Sequence, residues 1–184
     1  MLGIIFTNLV EMVETEISAE MADEILNEAE LSTDGGYTSV GHYPFEDVLA
    51  IVTLLSEKTD TPIPDLIFAF GQYLFPKLVA GHQHILPKNK TLMDLLVQLD
   101  SNIHVEVMKL YPNATLPTFT TLEQTANNIV LEYSSPRQLD TLAAGLIKGG
   151  SEYFGVEVDL AMTPLSDEPY RVKIDVKIHE KVAN

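Results

Sequence analysis

The sequence predicts an α+β fold, in which a helical N-terminal lobe packs on a C-terminal lobe of antiparallel sheet with helices. In the first third of the chain, apolar residues recur at three- and four-residue spacings, which is the helical period. Tyr170, Val172 and Ile174 begin a strict alternation of apolar and polar residues, which is typical of a half-buried strand. A length of 184 residues suits one domain. We therefore expect a single domain over 1–184, with lobes at about 1–84 and 85–184.

Four helices are predicted in the N-terminal lobe. The first three carry apolar stripes that begin near Ile4, Ser18 and Phe45. The fourth ends near Val79 and is apolar on several sides, which indicates burial on several sides. Gly71 lies in the middle of this fourth helix, where glycine costs about 1 kcal/mol relative to alanine. Close packing against a neighbour and a hinge explain this glycine equally well.

A central helix is predicted over 91–111. Thr91 and Asp94 form a capping signature at its start, and Pro112 ends it. Its apolar residues form one stripe, which consists of Leu92, Leu96, Leu99, Ile103, Val107 and Leu110. His104 lies on the border of this stripe, where it is either a partly buried, hydrogen-bonded side chain or a group that faces a cleft. His82 and His84 precede the helix and are interpreted as residues of a surface loop.

The second half of the chain is predicted to contain two β-hairpins with a helix between them. The first hairpin pairs 119–124 with 129–134 and turns at asparagines, which tolerate unusual backbone angles. The helix follows over 138–154, with Gly155 as its C-terminal signal. The second hairpin pairs 156–162 with 170–178. These elements predict an antiparallel sheet with helices against it.

One segment of the second half concentrates hydrogen-bond donors. Tyr133, Ser135 and Arg137 occupy every second position, and Pro136 favours an extended backbone at the residue before it. In an extended segment the three side chains share one face. A phenol, a hydroxyl and a guanidinium on one face form a clamp for a carboxylate or a phosphate. The alternative interpretation is the solvated end of a strand.

The composition excludes several classes of protein. The absence of cysteine excludes disulfides and thiolate metal sites. The net charge of −16 argues against nucleic acid and anionic membranes as partners. No run is long and apolar enough to span a bilayer, and no basic region precedes the first apolar residues, so we expect a cytoplasmic protein. No serine or acid pair lies in a recognisable hydrolytic motif, so we do not expect an enzyme.

His104, Pro117 and the Tyr133, Ser135, Arg137 pattern, in this order and spacing, resemble the H-NOX family of haem nitric oxide/oxygen-binding domains. The resemblance covers essentially the whole chain. It implies that a non-covalent haem b with ferrous iron lies between the two lobes, with His104 as the proximal ligand of the iron. It also implies that Tyr133, Ser135 and Arg137 hold the haem propionates. Pro117 matches the family's proline that packs against the macrocycle and distorts it.

The same resemblance places Ile5, Leu74, Leu142 and Leu146 in the distal pocket. Family members that hold oxygen carry a distal tyrosine at the position of Leu142, so this chain departs from the oxygen-binding pattern. Bound dioxygen needs a hydrogen-bond donor, whereas nitric oxide and carbon monoxide need one far less. We therefore expect a sensor that binds nitric oxide and carbon monoxide and excludes oxygen. Tyr73 is the one donor that would change this expectation if its helix were rotated.

Two other classes of function remain open. One is a haem redox protein, although a peroxidase would need a distal histidine or arginine, and the apolar N-terminal helices show neither. The other is a haem-free module that uses the same clamp to bind an apolar carboxylate. A sensor without a catalytic domain must act through a separate protein. Resemblance to stand-alone bacterial members implies a histidine kinase or a cyclic-di-GMP enzyme as that partner.

Overall fold

The computed structural model describes residues 1–83 and 91–180. The helices are α1 Gly3–Glu16, α2 Ala19–Glu28, α3 Phe45–Thr59, α4 Ile63–Gly81, α5 Leu92–Val97, α6 His104–Leu110 and α7 Asp140–Tyr153. A π-helical segment, Leu99–Ile103, lies between α5 and α6. The strands are β1 Thr118–Gln124, β2 Asn128–Ser134, β3 Val156–Asp167 and β4 Tyr170–Glu180. Within these residues, no helix combines the length and the apolar character that crossing a membrane requires.

The four predicted N-terminal helices are α1–α4, and they share one core. Its most buried residues are at most 1% exposed: Phe6, Leu9, Ile25, Ile51, Leu55 and Leu74. Full burial of such a side chain contributes about 1.5–3 kcal/mol to folding. The Ser18 hydroxyl accepts a hydrogen bond from the Met21 N–H and caps α2, which confirms the predicted start of that helix. A bridge between Leu2 and His42 ties the N-terminus to the loop before α3.

The four strands form one antiparallel sheet in the order β1-β2-β4-β3. In the central pair, Leu131 is opposite Ile174 and Ile129 is opposite Val176, and all four are at most 1% exposed. Their side chains belong to a second core, to which α5 and α7 also contribute. The predicted α+β class, with a helical N-terminal lobe and an antiparallel sheet in the C-terminal lobe, is confirmed. The second hairpin is longer than predicted, because β3 continues to residue 167.

The prediction of one uninterrupted central helix is wrong, although its capping box at Thr91 and Asp94 is present. A π-helical turn amounts to one inserted residue, which rotates everything beyond it by about 100°. Without the insertion, His104 would lie about 120° from Leu92 around the helix, at the border of the stripe. With it, His104 turns toward the centre of the stripe. Leu110, which the stripe predicted to face inward, is instead 48% exposed.

Glycines allow α4 and α7 to pack closely. A Cβ atom at Gly71 would lie 2.6 Å from the Leu142 carbonyl oxygen and 2.7 Å from the Leu146 nitrogen. A Cβ atom at Gly149 would lie 2.7 Å from the Gln72 carbonyl oxygen. The helix backbones could not approach this closely with larger residues, so the close-packing explanation of Gly71 is confirmed. The contact joins the longest helix of the N-terminal lobe to the helix that covers the sheet.

Candidate functional site

A cavity of about 320 Å³ lies where the two lobes meet. This volume falls in the range of about 300–1,000 Å³ that is typical of small-molecule and cofactor sites. Helices α1 and α4 line it from the N-terminal lobe, while the central helix, the loop before β1, the end of β2 and α7 line it from the other. Every residue predicted for the site lines this cavity: Ile5, Leu74, His104, Pro117, Tyr133, Ser135, Arg137, Leu142 and Leu146.

His104 is the first residue of α6, and its side chain is 19% exposed. Its Nδ1 lies 2.8 Å from Oδ1 of Asp100. Because an ionised carboxylate only accepts hydrogen bonds, a neutral His104 that bonds it carries its proton on Nδ1 and keeps the lone pair on Nε2. Within the described part of the chain, Nε2 has no hydrogen-bond partner. A neutral imidazole with a free Nε2 is a suitable ligand for a transition-metal ion.

The segment that carries Tyr133, Ser135 and Arg137 is not extended throughout, so the prediction that they share one strand face is wrong. β2 ends at Ser134, and the Gln138 N–H then donates to the Ser135 carbonyl at 3.3 Å. The Ser135 hydroxyl accepts from the Arg137 N–H at 3.2 Å. A serine that bonds the backbone two residues further on favours a turn over a continued strand. The turn nevertheless directs all three side chains to the same cavity.

The protein uses only part of the hydrogen-bonding capacity of this cluster. The Tyr133 hydroxyl accepts from the Leu139 N–H at 3.0 Å. Burial raises the pKa of the Tyr133 phenol above its ordinary value, so the phenol keeps its O–H donor at neutral pH. Arg137 donates one N–H to the Thr115 carbonyl at 2.8 Å. Its other side-chain N–H groups have no partner among residues 1–83 and 91–180 and remain available to a carboxylate.

The predicted distal residues form an aliphatic part of the lining. Ile5, Leu74, Leu142 and Leu146 carry no side-chain hydrogen-bond donor, and Leu74 is fully buried. Tyr73 lies outside the cavity lining, because its side chain packs on the other side of α4. Its hydroxyl is 3.3 Å from the Thr15 hydroxyl, and the Lys77 ammonium lies over its ring at 5.1 Å from the centroid.

The cavity lining also contains many residues that were not predicted there, and among them are Met1, His42, His82 and Tyr111. His82 lies in the loop as predicted, but the interpretation of it as a surface residue is wrong, because it lines the cavity. It follows directly on α4, its ring is half-buried, and its Nδ1 lies 3.0 Å from the Leu78 carbonyl. Its Nε2 lies 3.5 Å from the Tyr111 hydroxyl. The four-residue spacing from Leu78 is the sequence signal that could have placed it beside the inner face of α4. His84 lies outside the described residues.

The residues present fit a haem group. His104 contributes a free nitrogen, and Arg137 contributes free N–H donors, on a cavity that is otherwise largely aliphatic. A metal-bearing, mostly apolar macrocycle with two carboxylates needs these three kinds of group. Pro117 lines the cavity too, and it also borders an open surface groove that Asp100 and His104 share.

Two lobes with a cofactor-sized cavity between them define a class of cofactor-binding domains. Several solved structures of this class are similar to the chain over almost its whole length. The Fe(II) unliganded H-NOX protein from K. algicida is 33% identical, with a TM-score of 0.92 and coverage of 100% of both chains. The IWP-051-bound H-NOX from Shewanella woodyi, in the Fe(II)CO state, is 39% identical, with a TM-score of 0.83 and coverage of 100% of this chain and 97% of that chain. An H-NOX protein from S. oneidensis in the Fe(II)NO state is 28% identical, with a TM-score of 0.89 and coverage of 98% and 100%.

The model of the Haem-NO-binding family matches residues 2–162. The chain therefore belongs to this family, the H-NOX domains, which are haem-based gas sensors and not catalysts. No curated protein sequence matches the chain significantly.

Proposed function

We propose that this protein senses nitric oxide at a ferrous haem, also binds carbon monoxide, and excludes dioxygen. One observation carries the proposal. His104, whose Nε2 has no hydrogen-bond partner among the described residues, lines the same cavity as Tyr133, Ser135 and Arg137. One imidazole and one carboxylate-binding cluster on an aliphatic cavity suit a non-covalent haem b between the lobes. When it is bound, ferrous haem supplies an iron atom that takes a diatomic gas as a ligand.

Each side chain of the cluster then has a distinct role. His104 donates the Nε2 lone pair to the iron, with Nδ1 held by Asp100. The free guanidinium donors of Arg137 neutralise propionate charge, and the hydroxyls of Tyr133 and Ser135 add neutral hydrogen bonds. Pro117, which lines the cavity, would pack its ring against the macrocycle. The whole of 1–184 acts as one haem domain, with a distal lobe at about 1–84 and a proximal lobe at about 85–184.

The selectivity for gases follows from the aliphatic lining. Ile5, Leu74, Leu142 and Leu146 offer no donor to stabilise the charge that dioxygen takes from iron, while nitric oxide and carbon monoxide need such a donor far less. The contact of the Tyr73 hydroxyl with Thr15 supports this assignment, because Tyr73 adjoins Leu74 in the sequence and does not line the cavity. The relatives from S. oneidensis and Shewanella woodyi are described in nitric oxide and carbon monoxide states, respectively.

We further propose that the output of the sensor is transmitted by contact to a partner protein, because the family consists of sensor domains and not of catalysts. We assign the receiving role to a histidine kinase or a cyclic-di-GMP enzyme. The net charge of −16 favours a partner surface that carries basic residues.

The test is to purify the wild-type protein and the variant His104→Gly under reducing conditions. We expect the wild type to carry one extractable haem b per chain. Its absorption spectrum should change with nitric oxide and with carbon monoxide, and it should form no lasting complex in air. His104→Gly should lose the haem or retain it only with added imidazole, because the iron loses its protein ligand.

The matched control is His179→Gly, since His179 pairs with Asp159 on the sheet surface, away from the cavity. This variant should keep the wild-type haem content and spectrum. An unchanged spectrum in His104→Gly would exclude His104 as the iron ligand. A wild-type protein that takes up no haem but binds a fatty acid would support the alternative of a haem-free carboxylate-binding module.

A further inference from the structure

We propose that Asp100 is a positioning residue that fixes the tautomer, the orientation and the electron donation of His104. The proposal rests on the proposed function, because it assigns His104 to the iron. Asp100 lies inside the π-helical segment, four residues before His104, and its side chain is 35% exposed. Asp100 does not line the cavity itself, so it acts on the iron through the imidazole.

Both oxygens of the Asp100 carboxylate face hydrogen-bond donors. Oδ1 lies 2.8 Å from Nδ1 of His104, and Oδ2 accepts the Phe119 N–H at 2.7 Å. Only a group that accepts at both oxygens satisfies both partners, which an ionised carboxylate does. An asparagine of the same shape would direct an NH₂ group at one of the two donors. The geometry therefore requires an aspartate where an asparagine would otherwise fit.

The first hydrogen bond acts on the ligand nitrogen. A carboxylate that accepts from Nδ1–H selects the tautomer with a free Nε2 lone pair and makes the ring a stronger electron donor. A stronger donor holds iron more tightly and favours its oxidised form. Asp100 therefore opposes the loosening of the iron–histidine bond by a ligand on the other side of the iron.

The second hydrogen bond ties the imidazole to the sheet. Phe119 is the second residue of β1, and its ring lies 5.8 Å from the His104 ring and 5.4 Å from the Tyr133 ring, between centroids. Asp100 thus joins three parts of the sheet lobe: the π-helical segment, the ligand and the first strand. A displacement of His104 must stretch the bond to Asp100 or move the start of β1 with it.

The experiment compares haem-loaded Asp100→Asn and Asp100→Ala with wild type. We expect both variants to keep haem, because His104 and Arg137 remain. The iron–histidine stretching frequency should fall, and the reduction potential should rise. The ratio of five- to six-coordinate nitric oxide complexes should increase by roughly ten-fold or more, since loss of a partner behind a metal ligand typically changes metal affinity by about 10- to 100-fold.

Glu106→Gln is the matched control, because Glu106 is a carboxylate on the same helix whose partner is Lys109. It should leave the frequency, the potential and the coordination ratio unchanged. Wild-type values in both Asp100 variants would overturn the positioning role while His104 stays the iron ligand. If Asp100→Ala fails to fold, Asp100→Asn alone decides, because its shape is that of the wild type. Failure of the proposed function itself would be visible separately, as an unchanged spectrum in His104→Gly.

Discussion

The cavity has two walls that differ in their chemistry and in the interactions that hold their side chains in place. The histidine wall consists of His104, Pro117 and Phe119, and the aliphatic wall consists of Ile5, Leu74, Leu142 and Leu146. The histidine wall is positioned by directional hydrogen bonds, of which the two to Asp100 are the shortest at 2.8 and 2.7 Å. Leu74, Leu142 and Leu146 of the aliphatic wall are positioned by the close contact of α4 and α7. This contact is possible because Gly71 has no side chain to hold the two helices apart.

This difference separates the residues that bind the haem from the residues that select among gases. Hydrogen bonds fix angles, so the histidine wall suits a ligand atom that must point at a metal. Aliphatic packing fixes volume and excludes donors, so the aliphatic wall suits discrimination among small gases. Changes to polar groups that bind the haem should therefore alter occupancy, whereas changes to the aliphatic wall should alter only which gas stays bound.

The largest effect is expected from Arg137→Ala, which removes the free donors of the propionate cluster. Hydrogen bonds to charged groups are worth about 1.5–3 kcal/mol each, so each lost bond should weaken haem binding by roughly 10- to 150-fold. Ser135→Ala should cost less, because its hydroxyl is neutral and already accepts from the Arg137 N–H. Haem titration of the apoprotein measures both.

Arg171→Ala provides the control for loss of an arginine. Arg171 bonds the Ser166 hydroxyl at 3.0 Å on the sheet and does not line the cavity. It should keep wild-type haem affinity. If Arg137→Ala and Ser135→Ala both keep the wild-type haem affinity, the segment after β2 does not bind the propionates and is only the solvated end of a strand.

The sequence was sufficient to predict most of the elements and nine residues of the cavity lining, but not how the backbone presents them. Apolar periodicity predicted α1–α4 and both hairpins, because burial on one face imposes the period directly. The apolar residues of 91–111 keep a regular helical spacing in the sequence, so periodicity could not reveal the π-helical segment that rotates Leu110 outward. This segment is stabilised by contacts distant in sequence, such as that between Asp100 and Phe119. The turn at Ser135 likewise depends on a hydroxyl-to-backbone bond that the alternating pattern conceals.

A smaller and more selective effect is expected from Leu142→Tyr, which places a phenol on the aliphatic wall. One added neutral hydrogen bond is worth about 0.5–1.5 kcal/mol, so a bound oxygen molecule should be retained roughly 2- to 10-fold longer. Leu142→Phe adds the same ring without the hydroxyl and should not have this effect. Stopped-flow mixing of the ferrous proteins with air-saturated buffer measures the lifetime. A long-lived oxygen complex in the wild type would show that a donor outside this wall reaches the iron.

The smallest effect is expected from Pro117→Ala, which changes how the histidine wall presses on the haem. The loop before β1 carries Pro117 against the cavity, and Phe119 follows it into the strand. A smaller side chain should let the macrocycle flatten without any gas, and so shift the unliganded protein toward its nitric oxide-bound state. Hydrogen exchange in the N-terminal lobe, with and without nitric oxide, measures the shift. The wild type should change with the gas, and unliganded Pro117→Ala should already resemble the bound wild type.

Loss of a proline also lowers stability by about 0.4–1 kcal/mol through the unfolded chain, which would accelerate exchange everywhere. Pro164→Ala, on the edge strand β3, controls for that general effect and should not reproduce the change in the helical lobe. The decisive residues are those of α4 around Gly71, where the N-terminal lobe meets α7. Coupling requires two discrete packings of the lobes, and a two-state shift should change exchange there together with exchange around His104. If nitric oxide leaves exchange in both lobes of the wild type unchanged, the protein binds the gas without signalling through this contact.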